Sequence, residues 1–267
     1  MEKSNIYCFG IHDDVLDAIK SLNYIPVGLG ENTKKNGWLK DNTGDHISFK
    51  NKYYSELTFY YWLWKNNLNK LPNDIWIGFS QYRRHWRQNN EKLNQNYILK
   101  DEILHKIPEE WNNFDTILPN EINIQGLKFM KVIKSGKFAM LKNLSAIFRK
   151  NRNIKFNFDM MHGVGNLEKA INLLDEQNKH DFLKYVQNKT SFSPANMFIC
   201  KKKEKIREFF DILFPWLLRC EKVFGFNLKG YGKVRMYAFL CERFLPFWFN
   251  KNTNVLKWPI IFHDLRN

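Results

Sequence analysis

Two short segments carry the residue types that chemistry needs. Asp41-Asn42-Thr43-Gly44-Asp45 crowds two carboxylates, an amide, a hydroxyl and a glycine into one turn. Gly44 permits a tight or left-handed backbone, and such a turn can hold a ribose, a sugar hydroxyl or a divalent cation. The competing assignment is a solvent-facing turn, which the same residue types favour. The second segment, Gln81-Tyr82-Arg83-Arg84-His85, follows the apolar run Ile75–Phe79. A guanidinium presents a planar fork of donors that matches phosphate oxygens; the alternative is a surface ion-pair cluster. Alternation along an extended chain sends Arg83 and Arg84 to opposite faces, so that at most one of them reaches a shared ligand directly.

Single residues elsewhere add candidates. His12 follows the first apolar run, and His162 lies in Asp159-Met160-Met161-His162-Gly163 ahead of a helical segment. Each, on its own, fits a structural or exposed position better than a catalytic one. Asn196 opens the run Asn196–Cys200 and can bond a sugar hydroxyl. Glu242 lies beside an apolar helical stripe, and a carboxylate buried there needs a partner or a raised pKa. A Walker lysine loop, GxSxG, GxGxxG, HExxH and zinc-type Cys/His spacings are all missing, as is an Asp-x-Asp pair at a strand end.

The elements that must position these groups alternate. Asn5–Gly10 reads as a strand, and Asp13 as the cap of a short helix running to about Leu22. Tyr24–Leu29 reads as a second extended segment, in which Pro26 argues for an edge or irregular strand. Glu31–Ser48 has loop composition, and a loop that long in a compact domain is usually functional or disordered. A helix follows from Ser55 to about Asn67, with Tyr54, Leu57, Tyr61, Trp64 and Leu68 on one stripe. Ile75–Phe79 reads as a buried strand. In such α/β arrangements ligands bind beyond the carboxyl ends of the strands. Later come a helical Leu99–Ile107, a strand Phe114–Pro119, helices Leu167–Gln177 and Lys179–Gln187, and a strand Asn196–Cys200. A helix then carries Ile206, Phe209, Phe210, Leu213 and Leu217 on one face, with Pro215 expected to kink or end it. The last elements are a helix Lys233–Phe247, with Val234, Tyr237, Ala238, Cys241 and Leu245 inward, and an extended Trp258–Phe262. Lys128–Asn157 is basic, mixed and left unplaced.

The bulk numbers bound the answer. With 267 residues, 44% apolar and 16% aromatic, the chain can bury a substantial core and is not a disordered sequence. A formal charge of +15 bears on partners rather than fold: nucleic acid, an anionic membrane surface, or phosphorylated and acidic small molecules. The charge is spread, with short runs at Arg149–Arg152 and Lys201–Lys203, and no compact nucleic-acid motif accompanies it. Cys8, Cys200, Cys220 and Cys241 lie far apart in apolar runs and read as small buried hydrophobes of a reducing compartment. No signal peptide or membrane span is visible; the strongest apolar run, Phe209–Leu218, is broken by Asp211 and Pro215. The expectation is a cytoplasmic protein whose charge permits peripheral contact with the anionic inner membrane.

Taken together, the segments resemble a family. Asp41–Ser48, Lys50-Asn51, Tyr54–Thr58, Tyr61–Asn66 and Ile77–Arg84 are similar, in order, to the DNTGD-IS, KN, Y-ELT, YW-WKN and IGL-HYRR blocks of bacterial capsular and exopolysaccharide glycosyltransferases, long catalogued as a domain of unknown function. The strand leading to His12, Phe114–Pro119, His162, Asn196-Met197-Phe198-Ile199 and Phe239–Arg243 resemble further blocks of that family. Gln81 stands where the family usually has His, and Ala195 replaces a large residue before the NMFI asparagine. The stretch Lys128–Asn157 shows no matching block, which makes it the place to look for acceptor specificity.

The resemblance implies a GT-A-like α/β single domain with a mixed central sheet and a helix-rich C-terminal half. Residues 1–120 are then the nucleotide-sugar-binding half and 121–267 the acceptor side. It implies transfer of a sugar from a nucleotide-diphosphate donor, UDP by preference, to a capsular, exopolysaccharide or lipooligosaccharide glycan, the acceptor being a saccharide or glycolipid. The donor-binding candidates are His12, Asp41, Asn42, Thr43, Gly44, Asp45, Lys50, Asn51, Tyr54, Gln81, Tyr82, Arg83 and Arg84; His162, Asn196 and Met197 are those for the acceptor or sugar. Arg83 or Arg84 would neutralise the departing diphosphate. Asp45, Asp159, His162 and Glu242 compete as general base. A metal is not preferred, with Asp41 and Asp45 the ligands for Mn2+ or Mg2+ if one is used. A non-catalytic glycan- or nucleotide-binding scaffold is the alternative, and a nucleic-acid-binding protein the more distant one.

Overall fold

The computed structural model describes residues 3–30, 33–91, 98–125 and 152–266. Most of Lys128–Asn157, including Arg149-Lys150-Asn151, falls outside the described residues. The strands are β1 (Lys3–Gly10), β2 (Ile25–Gly28), β3 (Leu39–Lys40), β4 (Ile75–Gln81), β5 (Arg84–Trp86), β6 (Thr116–Pro119), β7 (Ile122–Asn123), β8 (Ser191–Phe192), β9 (Ile199–Cys200), β10 (Val255–Trp258) and β11 (Ile260–Phe262). Contacts divide the chain into two compact units. One comprises Met1–Asn120, Met197–Phe210 and Phe249–Asn267, the other Glu121–Asn196 and Asp211–Trp248.

The first unit holds a mixed sheet in the order β10-β6-β9-β4-β1-β2-β3. Strands β4, β1, β2 and β3 are mutually parallel. The short β9 runs antiparallel to both β4 and β6, and β10 is parallel to β6. β5 turns back from β4 and pairs with β11. Burial on both faces explains the continuous apolar runs of β1 and β4. On one face Tyr7, Phe9 and Phe79 meet Phe59, Tyr60 and Phe198; on the other Trp76, Trp111 and Trp258 pack in series. Gly78 sits where a side chain would not fit, since a Cβ there would lie 2.6 Å from both Ile6 and Ile199.

The second unit is mainly helical, with a two-stranded antiparallel sheet of β7 and β8. Helices Ile154–His162 and Glu176–Asn188 start on side-chain caps, Asn153 accepting from the Phe156 amide and Asp175 from that of Asn178. Phe182 packs against Trp216, Phe244 and Phe247, and the Trp216 indole donates to the Ala170 carbonyl. All four cysteines are free and buried. No described helix is long and apolar enough to cross a membrane.

Several elements differ from expectation. Asp13 does not cap the first helix; its carboxylate accepts the Lys34 and Lys35 amides and the Trp38 indole, tying down the next loop. Pro26 lies in an internal strand, and this is tolerated because β3 pairs only with Val27 and Gly28. The expected Ser55–Asn67 helix is an α-helix at Leu57–Trp62, a π-turn at Leu63–Asn67 and a 3-10 turn at Leu68–Lys70. Its buried side is Leu57, Phe59, Tyr60, Trp62 and Leu63, with Tyr61 and Trp64 half-exposed: a segment apolar all round gives its period no direction. Leu99–Ile107 is helical only at Leu99–Glu102, because Ile103 bridges Arg87. Asn196–Cys200 is a strand only at Ile199–Cys200, since Ala195 and Asn196 have φ of 76° and 51°. Pro215 does not end its helix, which runs from Lys203 to Phe224, and Val234 is half-exposed.

The Gly78 environment gives a test of the sheet. Gly78→Ala should overpack β4 against β1 and β9 and cost about 1–3 kcal/mol, read as a lower urea midpoint with an unchanged m-value.

Candidate functional site

The order β3-β2-β1-β4 of four parallel strands places their carboxyl ends along one edge, and the order reverses between β1 and β4. Ligand crevices form outside such a reversal. Phe9 is level with Gln81, and Gly10, Gly28 and Lys40 are in register. The segments leaving this edge are therefore His12–Asp13 after β1, Leu29–Gly30 after β2, Asp41–Asp45 after β3 and Tyr82–Arg83 after β4. Two of them, Asp41–Asp45 and Gln81–Arg84, are the segments singled out from the sequence.

The Asp41–Asp45 turn is held by residues of the following helix. Asn66 accepts from the Asp45 amide at 3.1 Å and donates to the Asp45 carbonyl at 2.8 Å. The Tyr61 hydroxyl donates to Asp45 Oδ1, and the Trp62 indole to Thr43 Oγ1. Gly44 has φ of 63°, and a Cβ there would run into the Asn66 amide. Asn42, Thr43, Gly44 and Asp45 are exposed, whereas Asp41 is only 2% exposed. Asp41 Oδ2 is buried without a hydrogen-bond partner. Burial pushes its pKa up, against the opposing effects of the Thr58 hydroxyl, His46 and Lys40. A buried, poorly satisfied carboxylate at a ligand edge costs stability and is a functional-site signal. Asn51 braces the same corner, donating to the Ser55 carbonyl and Thr58 Oγ1; Lys50 lies over the rings of Phe49 and the buried Tyr54.

At the β4 end Tyr82 is buried, and its ring gathers charge. His12 meets it edge-on at 6.3 Å, and the Arg83 guanidinium lies 4.9 Å from its centroid. Arg84 donates to Gln81 Oε1 at 2.7 Å and faces the Phe262 ring. The two arginines thus have different surroundings, as alternation suggested. His85 is buried and its Nε2 lies 3.1 Å from the His263 carbonyl. The extended segment after β11 is pinned to this turn: the His263 amide donates to Arg83 and the Leu265 amide to Tyr82.

The remaining candidates, Met197 apart, fall in the second unit. His162 precedes the helix Asn166–Ile171, as expected, and is itself the last residue of the helix before it; it is fully buried, stacked on Phe239 at 4.1 Å and beside Phe158, with Nδ1 2.6 Å from the Gly232 carbonyl. Asp159 pairs with Lys155 and accepts from the Gly165 amide. Glu242 accepts from the Ala195 amide and pairs with Arg243, which also reaches Asn157 and lies over Phe192. Asn196 donates to the Ala238 carbonyl. The Asn196 and Glu242-Arg243 motifs are thus one network that holds a left-handed turn. Met197, in the first unit, is buried.

Among the described residues, no group of three or more His, Cys, Asp or Glu could hold a metal ion. Asp41 is buried while Asp45 is exposed and bonded to Tyr61, so the pair makes a poor fit to a divalent cation. Sequence patterns missed Asn66 and Tyr61, whose motif blocks read as helix stripe, and Phe49, 73% exposed beside the turn and able to stack on a base or sugar face.

Two pH effects follow. Asp41's pKa is raised on folding, so stability falls as pH rises from its ordinary 3.8 through the folded value and stays reduced above it. Asp41→Asn should therefore be more resistant to urea than the native chain at pH 7, the difference vanishing towards pH 3.8. His162 and His85 are pushed down to about 3 and about 4, first by burial, from an ordinary 6.5. The folded state then binds fewer protons than the unfolded one, and stability is lost as pH falls below 6.5. His162→Gln should show a shallower loss of urea resistance between pH 6.5 and pH 5 than the native chain.

A solved structure of a bifunctional glycosyltransferase, WbbM, in its apo form, shares the fold, with a TM-score of 0.66 and 20% identity. The match covers 97% of this chain and 45% of that one, so the chain spans less than half of the larger protein. This bears out the expected GT-A-like α/β fold. No curated protein matches the sequence. A family model matches residues 8–253, and on that span the chain belongs to the family described as domain of unknown function DUF4422.

Proposed function

We propose that the protein is a glycosyltransferase that moves a sugar, a hexose or a relative, from a nucleotide-diphosphate donor, UDP by preference, to a growing bacterial surface glycan. The observation that carries this is the composition of the carboxyl edge: Arg83 and His12 on the Tyr82 ring where strand order reverses, with the half-satisfied Asp41 and the exposed Asn42–Asp45 along the same edge. The fold shared with a glycosyltransferase supports it. A cation aimed at the leaving diphosphate lowers the barrier as the anomeric bond breaks. Arg83 is the better placed of the two arginines, because Arg84 is engaged by Gln81. The turn Asn42–Asp45 supplies donors and acceptors for ribose or sugar hydroxyls, and Phe49 a stacking face.

The acceptor hydroxyl must lose its proton as its oxygen bonds to the anomeric carbon. Of the four base candidates, Asp159 and Glu242 are tied to cations and amides, and His162 is a buried, weakly basic imidazole. Asp45 is exposed and oriented by Tyr61, whose own pKa is pushed up to about 12, first by burial and then by Asp45, so that it stays a donor. It is the base we favour. Residues 1–120, with the Phe249–Asn267 segment of the same compact unit, are assigned to the donor, and the second unit to the acceptor, a saccharide or glycolipid of a capsular, exopolysaccharide or lipooligosaccharide pathway. Action at the cytoplasmic face of the inner membrane suits the net charge of +15.

Acceptor-free hydrolysis of UDP-sugars tests the assignment. Native protein should release UDP slowly, Arg83→Ala should lose about 100-fold of that rate, and Arg84→Ala much less. Equal, mild effects would reject the leaving-group role; UDP-sugar binding with no turnover would favour a non-catalytic scaffold.

A further inference from the structure

The segment that follows β10 lies outside the residues the family model matches, yet it is built into the candidate crevice. β11 pairs with β5, and three further bonds join the two segments: the His263 amide to the Arg83 carbonyl, the Leu265 amide to the Tyr82 carbonyl, and the His85 ring to the His263 carbonyl. This anchoring delivers a second guanidinium to Tyr82. Arg266 lies 5.6 Å from the ring centroid, against 4.9 Å for Arg83. Its charge is taken up locally by Asp264, in a two-pronged pair at 3.0 and 2.7 Å.

We propose that Arg266 is an anion-binding residue of the donor crevice, which exchanges Asp264 for the phosphate oxygens of a nucleoside diphosphate or its sugar ester. The proposal rests on the donor assignment above and adds a ligand from a part of the chain that carries no family motif. The physical argument is one of charge. A diphosphate brings more negative charge than Arg83 neutralises, and the fork geometry that Arg266 uses on Asp264 is the geometry that fits two phosphate oxygens. Asp264 is the competitor that keeps the fork oriented meanwhile. Its carboxyl is held down to about 2, first by Arg266 and to a lesser extent by Arg83, so both guanidiniums act on the same point. The Arg266 side chain is exposed and can turn to a ligand arriving from solvent, while the less exposed Asp264 carboxylate keeps the Arg266 amide as a donor.

The experiment is titration calorimetry on the full chain with uridine, UDP and inorganic pyrophosphate. Arg266→Ala should weaken UDP and pyrophosphate about tenfold or more and leave uridine unchanged. Arg266→Lys should recover part of the loss, and Asp264→Asn should tighten both anions. The same anion affinities in Arg266→Ala as in the native chain, or an equal loss of uridine, would overturn the proposal. Pyrophosphate binding that depends on Arg266, without any UDP-sugar hydrolysis by the native chain, would uphold the anion role and reject the transferase assignment. A native chain that binds none of the three ligands would reject both.

Discussion

Strand β1 is the constraint on which the candidate site depends. It is held on one side by seven register pairs with β4 and on the other by four with β2, all parallel. Parallel pairing forces every connection to leave and return at opposite edges, so the segments after β1, β2, β3 and β4 emerge together. The side on which the next strand is added changes at β1, and ligand crevices form outside such a change of side. The polar residues of both sequence blocks are thus gathered by backbone hydrogen bonding alone, before any side chain contributes.

Side chains then fix the loops that the sheet only launches. A polar segment of the length between β2 and the helix at Leu57 would lose much conformational entropy on ordering. Two anchors offset this. Asp13 holds three donors from Lys34, Lys35 and Trp38, and Trp38 in turn covers Gly10, where a Cβ would lie 2.4 Å from the indole. Asn66 holds the Asp45 backbone from both sides. The π-turn at Leu63–Asn67 fits this role, since such turns re-aim side chains at functional positions. Tyr61, Trp62 and Asn66 all reach the turn at Thr43–Asp45, which gives a physical reason for the two sequence blocks to occur together.

What could be read from the sequence divides along the range of the interactions. β1 and β4 were legible because burial on both faces leaves unbroken apolar runs. The Asp41–Asp45 turn was legible as polar and glycine-bearing, and its position at the sheet edge followed from element order. The helix after it was legible as a helix but not in its orientation, because apolar residues surround it. Asn196–Cys200 looked like a strand because composition does not register the positive φ of Ala195 and Asn196, which Glu242 and Ala238 stabilise from more than 40 residues away. Arg266 was invisible for the same reason: nothing near it in sequence points to Tyr82.

The charge distribution around Tyr82 bears on how the crevice could act without a metal cluster among the described residues. A divalent ion supplies concentrated charge and needs several oxygen ligands in a fixed shell. Asp41 and Asp45 do not form that shell; one is buried with an unmet oxygen and the other is turned to Tyr61. Guanidiniums supply the same sign of charge in a planar, directional form, and they need only a surface that keeps their forks aimed. The Tyr82 ring is such a surface. It is itself fixed by its amide to Phe9 and by its carbonyl to Leu265, so it is locked to β1 and to the segment after β11. Positive charge at this edge is therefore positioned by the sheet itself, on a strand exit that backbone pairing through β1 and β2 keeps in register with β3, from which the Asp41–Asp45 turn leaves.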